Sequence, residues 1–89
     1  PDDEALLQLT RSAGREDAGI VNTLLADFPE AYPDSTLIAD AMFRRARICI
    51  ELLRDGETGV GILKQIAQDY PAFARSEAFK RYRERLKPA

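Results

Sequence analysis

The sequence contains no histidine, no tryptophan and a single cysteine, Cys49. Histidine is the usual general base near neutral pH, and zinc prefers histidine and cysteine as ligands. Their scarcity argues against nucleophilic catalysis and against a transition-metal site. One cysteine excludes a disulfide within the chain and leaves the compartment open. We therefore expect a non-enzymatic protein without metal or cofactor, in which Cys49 is buried and unreactive.

Long apolar runs and glycine-rich phosphate-binding loops are also missing. No apolar run exceeds three residues, whereas a membrane-spanning helix needs about 20, so we expect no membrane span. The missing phosphate loop argues against nucleotide binding. The 89 residues suffice for one domain, and a composition that is 45% hydrophobic and 31% charged is typical of a folded one. Because the chain begins at Pro1 rather than at a methionine, we expect residues 1–89 to be part of a larger protein.

Charge is distributed unevenly along the chain. Residues 1–40 hold nine acids against two bases, a net charge of −7, and residues 41–89 hold eleven bases against six acids, a net charge of +5. This polarity favours head-to-tail contact with a neighbour or with another copy, for example in a homodimer. Nucleic acid is not an expected partner, since the sequence pI is about 5.1 and nucleic-acid-binding domains usually have a pI above about 9.

Apolar residues recur at helical spacing throughout, and no alternating strand pattern appears. We predict an all-α fold of about five helices. Asp2 or Asp3 is expected to cap the first helix, and the second starts near residues 16–17 and ends at Pro29 and Pro33. The third helix is predicted at roughly 36–54, capped by Asp34 or Ser35. The fourth is predicted at roughly 57–69, ending at Pro71, and the fifth at roughly 73–86.

The third helix is predicted to be central. A narrow polar stripe is formed by Asp40, Arg44, Arg47, Glu51 and Arg54, with Asp40–Arg44 and Arg47–Glu51 at i,i+4 spacing, worth about 0.3 kcal/mol each. Its two remaining flanks are apolar, so other helices should cover both. Glycines in the fourth helix cost about 1 kcal/mol each relative to alanine. We therefore expect close approach to the third helix at Gly59 and Gly61.

Two segments repeat each other at an offset of 42 residues: GIVNTLLADFP (19–29) and GILKQIAQDYP (61–71). Periods of this size with two helices per unit are typical of α-solenoids. The unit from Tyr32-Pro33-Asp34-Ser35 to Tyr70-Pro71 resembles the tetratricopeptide-repeat (TPR) family, in the variant common in bacterial envelope proteins. The resemblance rests on these further positions: Ala41, Phe43, Arg44, Ala46, Asp55, Gly56, Gly59, Leu63 and Ile66. It implies a short TPR-like α-solenoid of two repeats, 3–33 and 34–71, with a capping helix at 73–86.

The resemblance also implies a protein-binding scaffold that grips a peptide or helix of a partner in a groove. We expect this groove to be lined by Arg44, Arg45, Arg47 and Glu51, because guanidinium groups suit carboxylates. The alternative for Arg45 is a packed stem with a solvated head. The second function that the sequence allows is a structural or self-assembly element, such as the accessory soluble tail of a larger protein, for example a membrane protein.

The fifth helix is predicted to carry a basic surface. Its residues are Arg75, Lys80, Arg81, Arg83 and Arg85. This surface suits an acidic neighbour or an anionic membrane surface. The simpler interpretation is the solvated outer face of a capping helix.

Overall fold

The structure is a computed structural model, and it describes residues 2–12 and 14–87. These residues form seven α-helices, one 3₁₀ turn and no strand, so the predicted all-α class is confirmed. The helices are α1 (Asp3–Arg11), α2 (Ala18–Ala26), α3 (Phe28–Ala31), α4 (Ile38–Glu51), α5 (Gly56–Asp69), α6 (Pro71–Ala74) and α7 (Glu77–Leu86), and the 3₁₀ turn spans Arg15–Asp17. The Cα radius of gyration is 12.5 Å, close to the ~12 Å expected for a compact domain of this length. No helix in the described residues is both long and apolar enough to cross a membrane.

The prolines explain why there are seven helices rather than about five. Pro29 and Pro71 were expected only to end the preceding helices, but each lies in the first turn of a separate single-turn helix, α3 or α6. Proline is tolerated there because the first amides of a helix have no intrahelical acceptor. The last long helix consequently starts at Glu77, not near residue 73. The two segments that repeat at an offset of 42 thus end alike, each in a single-turn helix that contains the proline.

Short polar side chains start three of the longer helices. The Asp2 side chain accepts a hydrogen bond from the Ala5 amide at 3.1 Å, as predicted, and the Asp55 side chain accepts one from the Thr58 amide at 3.2 Å. The Ser76 hydroxyl accepts from the Phe79 amide at the start of α7. Each cap satisfies an amide that would otherwise lack a partner.

The predicted cap of α4 by Asp34 or Ser35 is wrong. Leu37 occupies the cap position and provides no side-chain hydrogen bond. The Ser35 hydroxyl instead accepts from the Leu37 amide at 2.9 Å and donates to the Asp3 carboxylate. Ser35 therefore ties the start of α4 to the start of α1, and this bond lowers the pKa of the Asp3 carboxyl.

Helices α4 and α5 form a hairpin and make the most extensive helix–helix contact in the described residues. Gly59 permits this contact, since a Cβ atom there would lie 2.4 Å from Cγ1 of Ile50 and 2.8 Å from the Ala46 carbonyl oxygen. The close approach predicted for Gly59 is confirmed. The same prediction is wrong for Gly61, which has no such atom within 4 Å. Between the helices, Arg54 adopts a φ of 57°, a left-handed conformation that non-glycine residues rarely adopt.

Helix α4 is central, as predicted, because it contributes to two hydrophobic cores. The first core lies between α1, α2, α3 and α4 and includes Leu7, Leu25, Phe28, Ala41 and Ile48. The second lies between α4, α5 and α7, and its buried members are Ala46, Cys49, Ile62, Leu63, Ile66, Phe79 and Tyr82. The two apolar flanks of α4 are therefore covered from different sides.

Candidate functional site

A groove runs between α1, α4 and the segment that joins α6 to α7. Its main cavity has a volume of about 350 Å³. The lining residues are Leu7, Arg11, Asp40, Phe43, Arg44, Arg47, Phe73, Ser76 and Ala78. We call this feature the arginine groove. It continues past the end of α1 into a smaller cavity lined by Thr10, Arg44, Arg47 and Glu51, among others.

Arg44 lies in the middle of this groove without an acidic partner. In the described part of the chain, no carboxylate oxygen comes within 4 Å of its guanidinium nitrogens. The predicted ion pair between Asp40 and Arg44 is therefore not formed. Burial and the charges of Arg47 and Arg11 lower the pKa of the Arg44 guanidinium, and Glu51 only partly opposes this. Arg44 thus carries a charge that its surroundings disfavour and that an added anion would stabilise.

Asp40 lines the arginine groove together with Arg11, Arg44 and Arg47. Burial raises the pKa of its carboxyl, and the charge of Arg11 opposes the rise. No cation lies within ion-pair distance of Asp40 in residues 2–12 and 14–87. The groove therefore retains an excess of positive charge.

Arg47 is held in place by groups on three sides. Its Nε donates to the Glu51 carboxylate at 3.3 Å, as predicted, and its guanidinium carbon lies 5.0 Å from the Tyr82 ring centroid and 5.9 Å from that of Phe43. Burial raises the pKa of the Glu51 carboxyl, but Tyr82 and Arg47 lower it by more, so the net shift is downward. Cation–π and ion-pair contacts together restrict Arg47 to one orientation.

An aromatic cluster supports Arg47 from below. The Phe43 ring centroid lies 5.6 Å from Phe73, 5.7 Å from Phe79 and 5.6 Å from Tyr82. Edge-to-face and tilted contacts at these distances are favourable for aromatic rings. The cluster joins α4, α6 and α7 and gives the groove a rigid apolar floor.

Tyr82 is 5% exposed, and its hydroxyl has no hydrogen-bond partner of normal geometry in the described residues. The Glu51 carboxylate is nevertheless close enough to act on it electrostatically. Burial and this carboxylate raise the pKa of the Tyr82 phenol. The phenol is therefore neutral at physiological pH and contributes no charge to the groove.

Arg45 does not share the groove with Arg44 and Arg47, which corrects the prediction for this residue. Its Nε donates to the Asn22 side-chain oxygen on α2 at 2.9 Å, and it lines a different cavity between α2, α4 and α5. Cys49, 1% exposed, donates from Sγ to the same oxygen at 3.5 Å. Burial raises the pKa of the Cys49 thiol, which suits the predicted buried cysteine and disfavours its reactive thiolate.

The predicted basic surface of the C-terminal helix is divided between two faces. Arg85 approaches the Tyr82 ring on the groove side, 5.8 Å from its centroid, and Arg81 pairs with Glu77 at 3.5 Å. Lys80 and Arg83 line a separate cavity on another side of α7. Arg75 is exposed between α6 and α7. These five cations therefore do not form one continuous basic patch.

Arg11 is a groove residue that the sequence patterns did not indicate. It ends α1 and lines the groove beside residues of α4. Within α1, Arg11 follows the buried Leu7 by one helical turn, so the two residues lie on one face of the helix. This spacing indicates a groove residue only when the position of α1 relative to α4 is known. The described residues contain no group of three or more histidine, cysteine, aspartate or glutamate side chains placed to hold a metal ion. The groove thus combines the side chains of Arg11, Arg44 and Arg47 with an aromatic floor.

Comparisons of the chain with protein-family models, with curated proteins and with solved structures find no significant match.

Proposed function

We propose that this chain is a non-catalytic protein–protein interaction module, similar to TPR domains, that binds an acidic peptide segment of a partner in the arginine groove. The observation that supports the proposal most directly is the position of Arg44. It lies between Arg11 and Arg47 in a groove, and within the described residues no carboxylate pairs with it. Guanidinium groups bind carboxylates through paired hydrogen bonds.

The order of the helices supports the TPR-like description. Helix α4 packs against α2 on one side and α5 on the other, as the first helix of a repeat does in stacked helical pairs. The single-turn endings at Pro29 and Pro71 recur at the offset of 42 residues. In this description α4 is the first helix of the full repeat, and the groove lies between α4, α1 and the segment that joins α6 to α7.

The composition of the groove supports a peptide rather than a small ligand. Its two cavities follow α4 from Asp40 to Leu52, which is long enough for several residues of an extended segment. Apolar side chains at Leu7 and Phe43 alternate with the cations. A peptide with both acidic and apolar residues matches this arrangement.

Fluorescence anisotropy of a labelled peptide of alternating glutamate and leucine tests the proposal. We expect binding to weaken by about tenfold or more in the double variant Arg44→Glu with Arg47→Glu. The matched control is Lys64→Glu with Arg75→Glu, which changes the net charge equally at exposed cations outside the groove. A peptide with glutamine in place of glutamate should bind weakly to the unmodified protein.

Circular dichroism of each variant checks that the helices remain folded. Equal losses of binding in the groove variant and in the control would indicate attraction by net charge alone, and the proposed groove would be wrong. Equal binding of the glutamate and glutamine peptides would exclude an acidic partner.

A further inference from the structure

Helix α2 presents a stripe to solvent that the proposed peptide site does not use. Ile20 and Leu24 are 65% and 43% exposed, and Asp17 and Asp27 are exposed at either end of them. Ile20 and Leu24 lie one helical turn apart on α2, and Asp17 and Asp27 directly precede and follow the helix. Neither aspartate has a cation within 4 Å in the described residues. We call this surface the acidic stripe.

A cleft of complementary character lies between α5, α6 and α7. Its volume is about 350 Å³, and its apolar part is formed by Ala67, Ala74 and Phe79. Its lining also includes Glu84 and Lys87, which pair with each other at 3.3 Å, so the net charge comes from Lys80 and Arg83. Lys80 and Arg83 are exposed along its edge, and no acid lies within 4 Å of either in residues 2–12 and 14–87. We call this surface the basic cleft.

The acidic stripe and the basic cleft lie on different sides of the molecule. The buried face of α2, which includes Val21 and Leu25, packs in the core shared with α4. Phe79 belongs to the other core, beyond α4. One chain therefore carries an acidic surface and a basic surface of opposite charge. The apolar side chains of Ile20 and Leu24 in the acidic stripe correspond to the apolar part of the basic cleft.

We propose that a second copy of this chain inserts its acidic stripe into the basic cleft, so that copies associate head to tail. Such a contact is heterologous, and it continues from copy to copy unless the rotation between copies closes a ring. Its charged part weakens with ionic strength, since exposed charges are screened over about 10 Å at 0.1 M salt. The contact leaves the arginine groove free.

Sedimentation velocity over a range of concentrations tests this proposal. We expect the unmodified chain to associate at low salt and to dissociate at high salt. Asp17→Lys with Asp27→Lys gives a chain whose two surfaces are both basic, and Lys80→Glu with Arg83→Glu gives one whose two surfaces are both acidic. Each variant alone should associate about tenfold or more weakly than the unmodified chain.

Combining all four substitutions in one chain restores complementary surfaces with the charges exchanged, and self-association should return. A second pair, Ile20→Ser with Leu24→Ser, keeps every charge and should also weaken association, because these exposed side chains supply the apolar contact. The groove variant Arg44→Glu with Arg47→Glu should associate like the unmodified chain.

If the unmodified chain stays monomeric at every concentration, the proposal is wrong, and a second copy is not the partner of the acidic stripe. Failure of the four-substitution chain to associate would show that the stripe and the cleft do not meet.

Discussion

Gly59 and Ile50 approach so closely across the α4–α5 hairpin that a Cβ on Gly59 would lie 2.4 Å from Cγ1 of Ile50. The isoleucine side chain can rotate, but the Ala46 carbonyl oxygen, 2.8 Å from the same position, belongs to the backbone. A methyl group at residue 59 therefore forces the two helices apart. Since α4 contributes to both cores, a shift of α5 also disturbs the aromatic floor of the groove.

We predict that Gly59→Ala destabilises the fold by about 1–2 kcal/mol. Overpacking costs about 1–3 kcal/mol, and the better helix propensity of alanine offsets up to about 1 kcal/mol of that. Gly61→Ala is the matched control on the same helix, where no neighbouring atom lies within 4 Å, and it should stabilise by about 0.5–1 kcal/mol. Urea denaturation of the two variants measures both changes. If Gly59→Ala were as stable as Gly61→Ala, the close packing of α4 on α5 would be wrong.

Arg54 supports a second prediction, because its φ of 57° lies in the left-handed region. That conformation costs a residue with a Cβ about 1–2 kcal/mol, and glycine avoids the cost while losing more entropy on folding. We expect Arg54→Gly to stabilise the protein by about 0.5–1 kcal/mol. Arg54→Ala retains the Cβ and should give no such gain. Thermal unfolding distinguishes the two variants, and a larger gain for alanine would contradict the observed turn.

The sequence patterns that predicted this fold were local ones. The apolar flanks of α4 and the cap at Asp2 depend on residues a few positions apart, and both predictions were confirmed. The α4 cap and the role of Gly61 were predicted by the same kind of reasoning and were wrong. The Ser35 hydroxyl donates to the Asp3 carboxylate, 32 residues away, and a Cβ at Gly61 would meet no neighbouring atom within 4 Å, whereas one at Gly59 would clash with α4. Both outcomes depend on which neighbouring element each residue contacts, and the spacing of residues in the sequence does not specify this.

The candidate site illustrates the same limit. Helical spacing placed Arg44, Arg47 and Glu51 on one stripe, and the structure keeps them on one wall of the groove. Helical spacing also placed Arg45 between Met42 and Cys49 on an apolar flank of α4. This position already indicated that Arg45 lies away from the polar stripe. Its partner, Asn22, lies in another helix. Arg11 joins the groove through the crossing of α1 and α4, and no pattern within α1 specifies that crossing.

Tyr82 predicts a dependence of stability on alkaline pH. Burial and the Glu51 carboxylate raise the pKa of the phenol in the folded state, so the folded chain holds this proton more tightly than the unfolded chain does. The resulting stabilisation is fully present below the ordinary tyrosine pKa of about 10, and it is lost as the pH rises from there through the folded value. We expect the free energy of unfolding to fall over this range. The fall should be shallower in Tyr82→Phe, while Tyr32→Phe, which keeps Tyr82, should retain the original slope.

Urea denaturation at a series of alkaline pH values gives these slopes. Absorbance of tyrosinate during titration of the folded protein provides an independent measure, since one tyrosine should ionise late. Identical slopes for Tyr82→Phe and the unmodified protein would mean that the Tyr82 hydroxyl is in effect solvated.

Arg44 and Arg47 should respond oppositely to neutralisation, although they are three residues apart on the same helix. Arg44 is disfavoured by burial and by the charges of Arg47 and Arg11, so Arg44→Gln should stabilise the fold by about 0.3–0.5 kcal/mol, the usual size of a like-charge repulsion between helix neighbours. Arg47 makes an ion pair with Glu51 and lies over the Tyr82 ring, so Arg47→Gln should destabilise it by about 1 kcal/mol. Both substitutions should weaken binding of the acidic peptide.

A residue whose removal improves stability and impairs binding is one retained for the ligand rather than for the fold. Chemical denaturation and anisotropy on the same two variants measure both quantities, and a loss of stability in Arg44→Gln would place Arg44 among the structural residues instead.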